Sequence, residues 1–267
     1  MCGITGYTGH LDAAPIIVNS LSRVEYRGYD SCGMAIRTEA GIQITKDIIS
    51  VEHLGNQSPV FKGTTGIGHT RWATVGSPSI SNAHPHIDCN SQIAIVHNGD
   101  IENYHLLKEE LTLKGHFFQS DTDSEVLAHL IEEEQVSDPV TRIIGALRRV
   151  QGSYALVVLH KQSNALVVAR RENPLVVGIG QGENLVASDV PGVLEKTAQI
   201  VYLEDGDIGV VLPDRFKVWH QEVPTERKIH QVTWELKDLD KGEFAHYTLK
   251  EIFEQPQAIR QTLTGRL

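Results

Sequence analysis

The spacing of apolar residues changes twice along the chain, and that change restricts the fold most. From Tyr104 to Val150 apolar residues recur at helical intervals, and on both sides they come in short, strand-length runs. Upstream, residues 2–8 read as a buried strand that starts at the terminus. Residues 31–38 and 42–47 read as strands around Glu39-Ala40-Gly41, another strand ends at Thr70, and 92–97 is a further one. One helix interrupts them. Asp12 caps it, Pro15 fits its first turn, Ile17, Leu21 and Val24 make its stripe, and Gly28 breaks it.

Three helices are expected in the middle. Tyr104, Leu107 and Leu111 stripe the first, which Gly115 ends. Thr122-Asp123-Ser124-Glu125 opens the second as a capping box in which Thr122 caps and Glu125 reaches back. Asp138-Pro139 opens the third. Downstream, residues 154–159, 165–169, 175–179, 185–187, 200–203 and 208–212 are strand-like, with a short helix near 190–197. Strands, then helices, then strands predict an α+β fold of antiparallel sheets covered by helices, not a βαβ series.

Composition narrows the function classes. With 24 Lys+Arg against 34 Asp+Glu the net charge is −10, which argues against nucleic acid or an anionic membrane as partner. No apolar run reaches the ~20 residues of a membrane span, and the N-terminus lacks the pattern of a secretory signal. Three cysteines, Cys2, Cys32 and Cys89, are not a disulfide framework, so a cytoplasmic protein with free thiols is expected.

Four places can carry chemistry. Removal of Met1 would leave Cys2 with a free α-amine of pKa ~7.7–8 beside a thiol of pKa ~8.5, so that one residue supplies both base and nucleophile. The plain alternative is a small buried residue of a terminal strand. In Gly68-His69-Thr70-Arg71-Trp72-Ala73-Thr74, an arginine at a strand end can fork onto a carboxylate, or simply face solvent beside a packed tryptophan. Asn98 and the backbone N–H of Gly99 can point at one oxygen as an oxyanion hole does, although Asn-Gly after a strand is ordinarily a turn. Asp123 in a helix first turn can receive an amino group or complement the helix dipole. His84-Pro85-His86 with Asp88 and Cys89 falls short of a metal site, because proline separates the histidines and no second ligand cluster follows. The spacing of Gly178, Gly180 and Gly182 is not a dinucleotide fingerprint, and no Walker loop is present. No cofactor and no metal are expected.

Taken together, Cys2-Gly3-Ile4, the segment from Tyr26 to Ser31, Thr70-Arg71-Trp72-Ala73-Thr74, Asn82-Ala83-His84-Pro85-His86, His97-Asn98-Gly99 and Thr122-Asp123-Ser124-Glu125 resemble class II glutamine amidotransferases. The segment Tyr26-Arg27-Gly28-Tyr29-Asp30-Ser31 is similar to the branch that aminates a hexose phosphate. Ala187-Ser188-Asp189, the stretch from Leu203 to Asp207 and the stretch from Leu249 to Pro256 extend the resemblance along essentially the whole chain.

The resemblance implies an N-terminal-nucleophile hydrolase fold, a four-layer αββα sandwich of antiparallel sheets. It implies hydrolysis of L-glutamine to glutamate and ammonia, with Cys2 as nucleophile and Asn98 and Gly99 as oxyanion donors. Arg71 and Thr74 would hold the substrate carboxylate, Asp123 its amino group, and Trp72 would lie in a closing loop. Val75 stands where the family usually has histidine, which removes a polar group near that carboxylate. By the same resemblance, residues 2–240 are a glutaminase domain and 241–267 a linker toward absent sugar-isomerase domains. Those domains would take fructose 6-phosphate to glucosamine 6-phosphate and would hold most contacts of a homodimer.

Overall fold

The computed structural model describes residues 2–57, 61–233, 243–244 and 247–264. The chain divides into two compact units after Val232. In the first unit the opening elements are β1 (Gly3–Thr8), α1 (Ala13–Val24), β2 (Ser31–Thr38), β3 (Gly41–Asp47) and α2 (Val51–Gln57). Then come β4 (Thr65–Arg71), β5 (His86–Ile87) and β6 (Ile93–Ile101). The helical middle is α3 (Tyr104–Leu113), α4 (Glu125–Glu133) and α5 (Pro139–Leu147). It leads into β7 (Gly152–His160), β8 (Leu166–Arg171), β9 (Val176–Ile179) and β10 (Asn184–Ala187). The unit closes with α6 (Pro191–Leu194), β11 (Gln199–Tyr202), β12 (Asp207–Val211), β13 (Phe216–His220), β14 (Val223–Thr225) and β15 (Ile229–Gln231).

The strands form two antiparallel sheets. One runs β15-β11-β9-β10-β1-β4-β2-β3 and the other β14-β13-β12-β8-β7-β6-β5. Strands buried on both faces are continuous apolar runs, as in Ala155–Leu159, and such runs fit a sheet covered on both sides. Between the sheets lie Ile4, Ala35 and Ile67 from the first and Val96, Val157 and Val168 from the second. Outside the first sheet, Ile17 and Leu21 of α1, Leu54 of α2 and Val193 of α6 pack on Met34 and Leu185. Outside the second, Leu107, Leu127 and Ile143 of α3, α4 and α5 pack on Ile95 and Leu156. The result is the four-layer αββα sandwich expected. Each wholly buried aliphatic side chain in these layers contributes roughly 1.5–3 kcal/mol against exposure.

Local differences from the sequence reading have physical causes. Strand β6 does not turn at Asn98-Gly99; it continues to Ile101, with Gly99 paired to Tyr154. The capping box at Thr122 does not form. The Thr122 hydroxyl is taken by Ser120 and His86, so α4 starts at Glu125, whose carboxylate instead accepts the Gln119 and Ser120 N–H groups. Asp12 flanks α1 without a side-chain capping bond, whereas Asp138 does cap α5, accepting from the Thr141 N–H at 2.7 Å. Strands β13, β14 and β15 were not foreseen, because polar residues interrupt their apolar positions.

The second unit holds α7 (Tyr247–Leu263), which forms despite Pro256 in its interior. Its polar composition and that proline hid it in the sequence. The boundary expected at residue 240 falls in a stretch, 234–242, outside the described residues.

Candidate active site

Cys2 sits just before β1, a central strand of the first sheet, whose neighbours β4 and β10 fix the terminus by long registers. Asn98 lies in β6 of the other sheet, 4% exposed. Its Nδ2 donates to the Cys2 carbonyl at 2.8 Å, so the site bridges the two sheets. The same carbonyl accepts from Arg27 Nε at 3.0 Å. The thiol accepts the Trp72 N–H at 3.2 Å and lies 3.6 Å from the Trp72 carbonyl. Burial pushes the Cys2 thiol above its ordinary value, opposed by the Trp72 N–H and the nearby Arg71 charge.

Gly99 takes φ +136 within β6, and a Cβ there would lie 2.1 Å from the Ser153 carbonyl oxygen. Only glycine fits. Gly99→Ala is therefore expected to cost more than about 1–3 kcal/mol, read as a lowered urea midpoint. Gly115→Ala, at φ +97 but facing open space, is the milder control.

His69 orients Asn98. Its ring Nε2 is 3.0 Å from both the His97 carbonyl and Asn98 Oδ1. Both are acceptors, so Nε2 carries the proton, and burial pushes the His69 pKa down to about 3. With Oδ1 held this way, the Asn98 amide can only turn its N–H groups toward Cys2.

Arg71 is buried at the end of β4, but its guanidinium donates to the backbone carbonyls of Val75, Gly76 and Ser77. Of five N–H donors, two are left by those three bonds. Trp72 is 46% exposed and meets Tyr29 edge-on at 5.4 Å. Thr74 is exposed in the same loop. Asp30 holds that loop by accepting the Ala73 N–H, and its own N–H donates to the Arg71 carbonyl at 3.1 Å. Gly28 lets the segment approach, since a Cβ there would lie 2.6 Å from the Arg71 carbonyl carbon.

Asp123 is buried, and its Oδ2 accepts the Ile101 N–H at 2.8 Å, tying the start of α4 to the end of β6. The structure thus brings Cys2, Asn98, Arg71 and Trp72 together by direct bonds or charge. It places Gly99 next in β6 and Asp123 at that strand's end.

Arg27, Asp30, His69 and Asp189 were not singled out for roles from the sequence. Arg27 and Tyr26 both bond Asp189, at 3.3 and 2.7 Å, and Ser188 Oγ accepts the Ile4 N–H at 3.0 Å. Arg27 and His69 are buried, and the signal available for these two was a charged or polar residue directly beside a glycine. The histidines considered for a metal do not join Cys89. His84 packs between His69, tilted at 4.1 Å, and His86, edge-on at 4.4 Å.

Comparisons with known proteins agree with this architecture. The sequence model described as "Glutamine amidotransferase domain" matches residues 50–252. Glutamine–fructose-6-phosphate aminotransferase (isomerizing) of Thermus thermophilus is 45% identical over 271 residues, covering 100% of this chain and 45% of the relative. The enzyme of the same name from Pyrococcus horikoshii is 45% identical, covering 100% of this chain and 46% of its own. The chain thus spans about half the length of the curated relatives it matches. Among solved structures, glutamine phosphoribosylpyrophosphate amidotransferase from B. subtilis superposes with a TM-score of 0.72 at 26% identity, over 82% of this chain and 49% of that one. A glutamine aminotransferase class-II domain protein from Silicibacter pomeroyi shares the fold, with a TM-score of 0.55 at 13% identity, over 84% of this chain and 100% of that one. A family match over three quarters of the chain, on an N-terminal-nucleophile sandwich, places this chain in the class II glutamine amidotransferases.

Proposed function

We propose that this domain hydrolyses L-glutamine with Cys2 as nucleophile and passes the ammonia to a sugar phosphate. The observation that carries the reading is the bond from Asn98 Nδ2 to the Cys2 carbonyl, 2.8 Å across two sheets. It sets a preorganised amide donor beside the residue whose thiol would attack.

The thiol is raised by burial, so it is largely protonated near neutrality and needs a base. That base is the Cys2 α-amine, free once Met1 is removed; Met1 itself lies outside the described residues. The amine takes the thiol proton as sulfur bonds to the side-chain amide carbon of glutamine. The oxyanion is met by the Asn98 side chain and the Gly99 N–H. The C–N bond then breaks and the α-ammonium gives its proton to the leaving ammonia. Water cleaves the resulting thioester, releasing glutamate and restoring the thiol.

Arg71 offers its charge and a remaining N–H to the substrate carboxylate, helped by Thr74, and Trp72 covers the site. Asp123 keeps carboxylate lone pairs beyond those given to the Ile101 N–H and the Ser124 hydroxyl, and these suit the substrate amino group. Arg71→Lys is expected to raise KM for glutamine by about tenfold or more with a smaller change in kcat, since the three donors of an ammonium cannot hold the three loop carbonyls and also meet the substrate.

The acceptor is inferred from the relatives' names: fructose 6-phosphate. Three thiols with no disulfide among the described residues fit a reducing, cytoplasmic setting. The test is ammonia release from glutamine. Cys2→Ala should lose more than about 10³-fold. Activity retained within about tenfold would overturn the reading.

A further inference from the structure

Four side chains with metal-binding atoms converge at a second place, behind α4. They are Cys89, just after β5, His116, just after α3, and His129 and Glu132, which are i and i+3 on α4. Their ligand atoms all lie within 4.8 Å of one another. Cys89 Sγ is 3.6 Å from Nδ1 of both His116 and His129. Glu132 Oε2 is 3.0 Å from His116 Nδ1 and 3.2 Å from His129 Nδ1.

Four of the six spacings, from 3.0 to 3.6 Å, are near the edges of a small tetrahedron, and the other two lie within 4.8 Å. With Zn–S of about 2.3 Å and Zn–N or Zn–O of about 2.0–2.1 Å, tetrahedral ligands sit about 3.3–3.6 Å apart. The same nitrogen of each ring, Nδ1, turns toward the same sulfur and the same oxygen. The outer nitrogen of His116 is placed as a ligating histidine requires, whereas that of His129 has no hydrogen-bond partner among the described residues. His116 Nε2 meets Glu133 Oε1 at 3.0 Å, and His129 Nε2, wholly buried, lies 3.8 Å from Glu125 Oε1. The Cys89 backbone N–H and the Asn90 side-chain Nδ2, at 3.2 and 2.5 Å, fix both oxygens of the Glu132 carboxylate.

We propose that Cys89, His116, His129 and Glu132 form a four-ligand binding site for a divalent transition metal, with zinc the best fit. A thiolate and a carboxylate neutralise the ion, and the mixed sulfur and imidazole set favours zinc over magnesium or calcium. Four protein ligands leave no open position, so the site is structural. It ties three separate segments together: the turn after β5, the loop after α3, and α4. The role is distinct from the glutaminase reading and does not depend on it.

The test uses the full chain as Cys2→Ala, so that the terminal thiol cannot contribute. After chelator treatment and dialysis, Co²⁺ and then Zn²⁺ are titrated by absorbance, and bound metal is counted by mass spectrometry. The expected result is one equivalent per chain, a thiolate-to-cobalt charge-transfer band, displacement by Zn²⁺, and a Zn²⁺-dependent rise in Tm. Cys89→Ala should lose the band and about 100-fold or more in affinity, and Glu133→Gln about tenfold. Cys89 is exposed, so its removal leaves the core intact, and His116→Gln provides a second ligand variant. Absence of binding at micromolar metal would overturn the proposal and leave the cluster a hydrogen-bonded network. A band that persists in Cys89→Ala would overturn it as well.

Discussion

Asn98→Ala is expected to lower kcat for glutamine hydrolysis by about 10²–10³-fold, with KM changed far less. The side chain is held from both ends: Oδ1 accepts from His69 Nε2 at 3.0 Å and Nδ2 donates to the Cys2 carbonyl at 2.8 Å. Such a donor needs no reorientation when charge develops on the substrate oxygen, so its removal is felt in the transition state rather than in binding. Asn98→Asp tests the same point without changing shape. It puts a carboxylate oxygen where an N–H stood, facing the Cys2 carbonyl and the incipient oxyanion, so the loss should be at least as large. A kcat within about fivefold of the parent for both variants would remove Asn98 from the mechanism.

How much of this was legible in the sequence depends on how local each signal is. The three middle helices were readable because their stripes are long and periodic. The α+β class followed from the order of patterns, and the sheets' order did not, since antiparallel neighbours such as β1 and β10 are far apart in sequence. Asn98-Gly99 misled as a turn because local propensity knows nothing of β7, whose Ser153 carbonyl fills the space a side chain would need. At Thr122 a capping box was overridden by a tertiary partner, His86. Likewise His69 and Arg27 acquire meaning only when β4 and the end of α1 meet Cys2. The cysteine and the arginine were visible by residue type; the groups that hold them were not.

The second large effect is acid lability. His69, His84, His86 and His97 are at most 3% exposed. Burial holds all four below their ordinary value of 6.5. Neighbouring charges act in both directions: Lys46 and Arg71 lower His86 further, whereas Glu125 opposes at His86 and Asp123 at His97. Below pH 6.5 an unfolded chain protonates these rings while the folded one does not, so stability falls with falling pH. Above 6.5 the contribution is fully present.

Each ring adds a slope of up to about 1.4 kcal/mol per pH unit until its folded value is reached. A domain of about 5–15 kcal/mol total stability is therefore expected to unfold near pH 4–5. Urea midpoints between pH 7.5 and 5 measure the slope. Neither ring nitrogen of His84 has a hydrogen-bond partner among the described residues, so His84→Leu should remove one ring's share. A slope below about 1 kcal/mol per unit between pH 6 and 5 would contradict buried, neutral histidines.

The most direct test of the central claim is covalent. A glutamine analogue with an electrophilic carbon in place of its side-chain amide is incubated with the chain, followed by intact mass and peptide mapping. The account predicts loss of Met1, one adduct per chain, attachment at Cys2, and glutaminase activity falling in proportion to labelling. Cys32 is buried and its thiol is pushed up to about 12, mainly by burial and also by Asp47, so it should stay unlabelled. Labelling at Cys32 or Cys89 with activity lost in step, or full activity in a chain that keeps Met1, would contradict it.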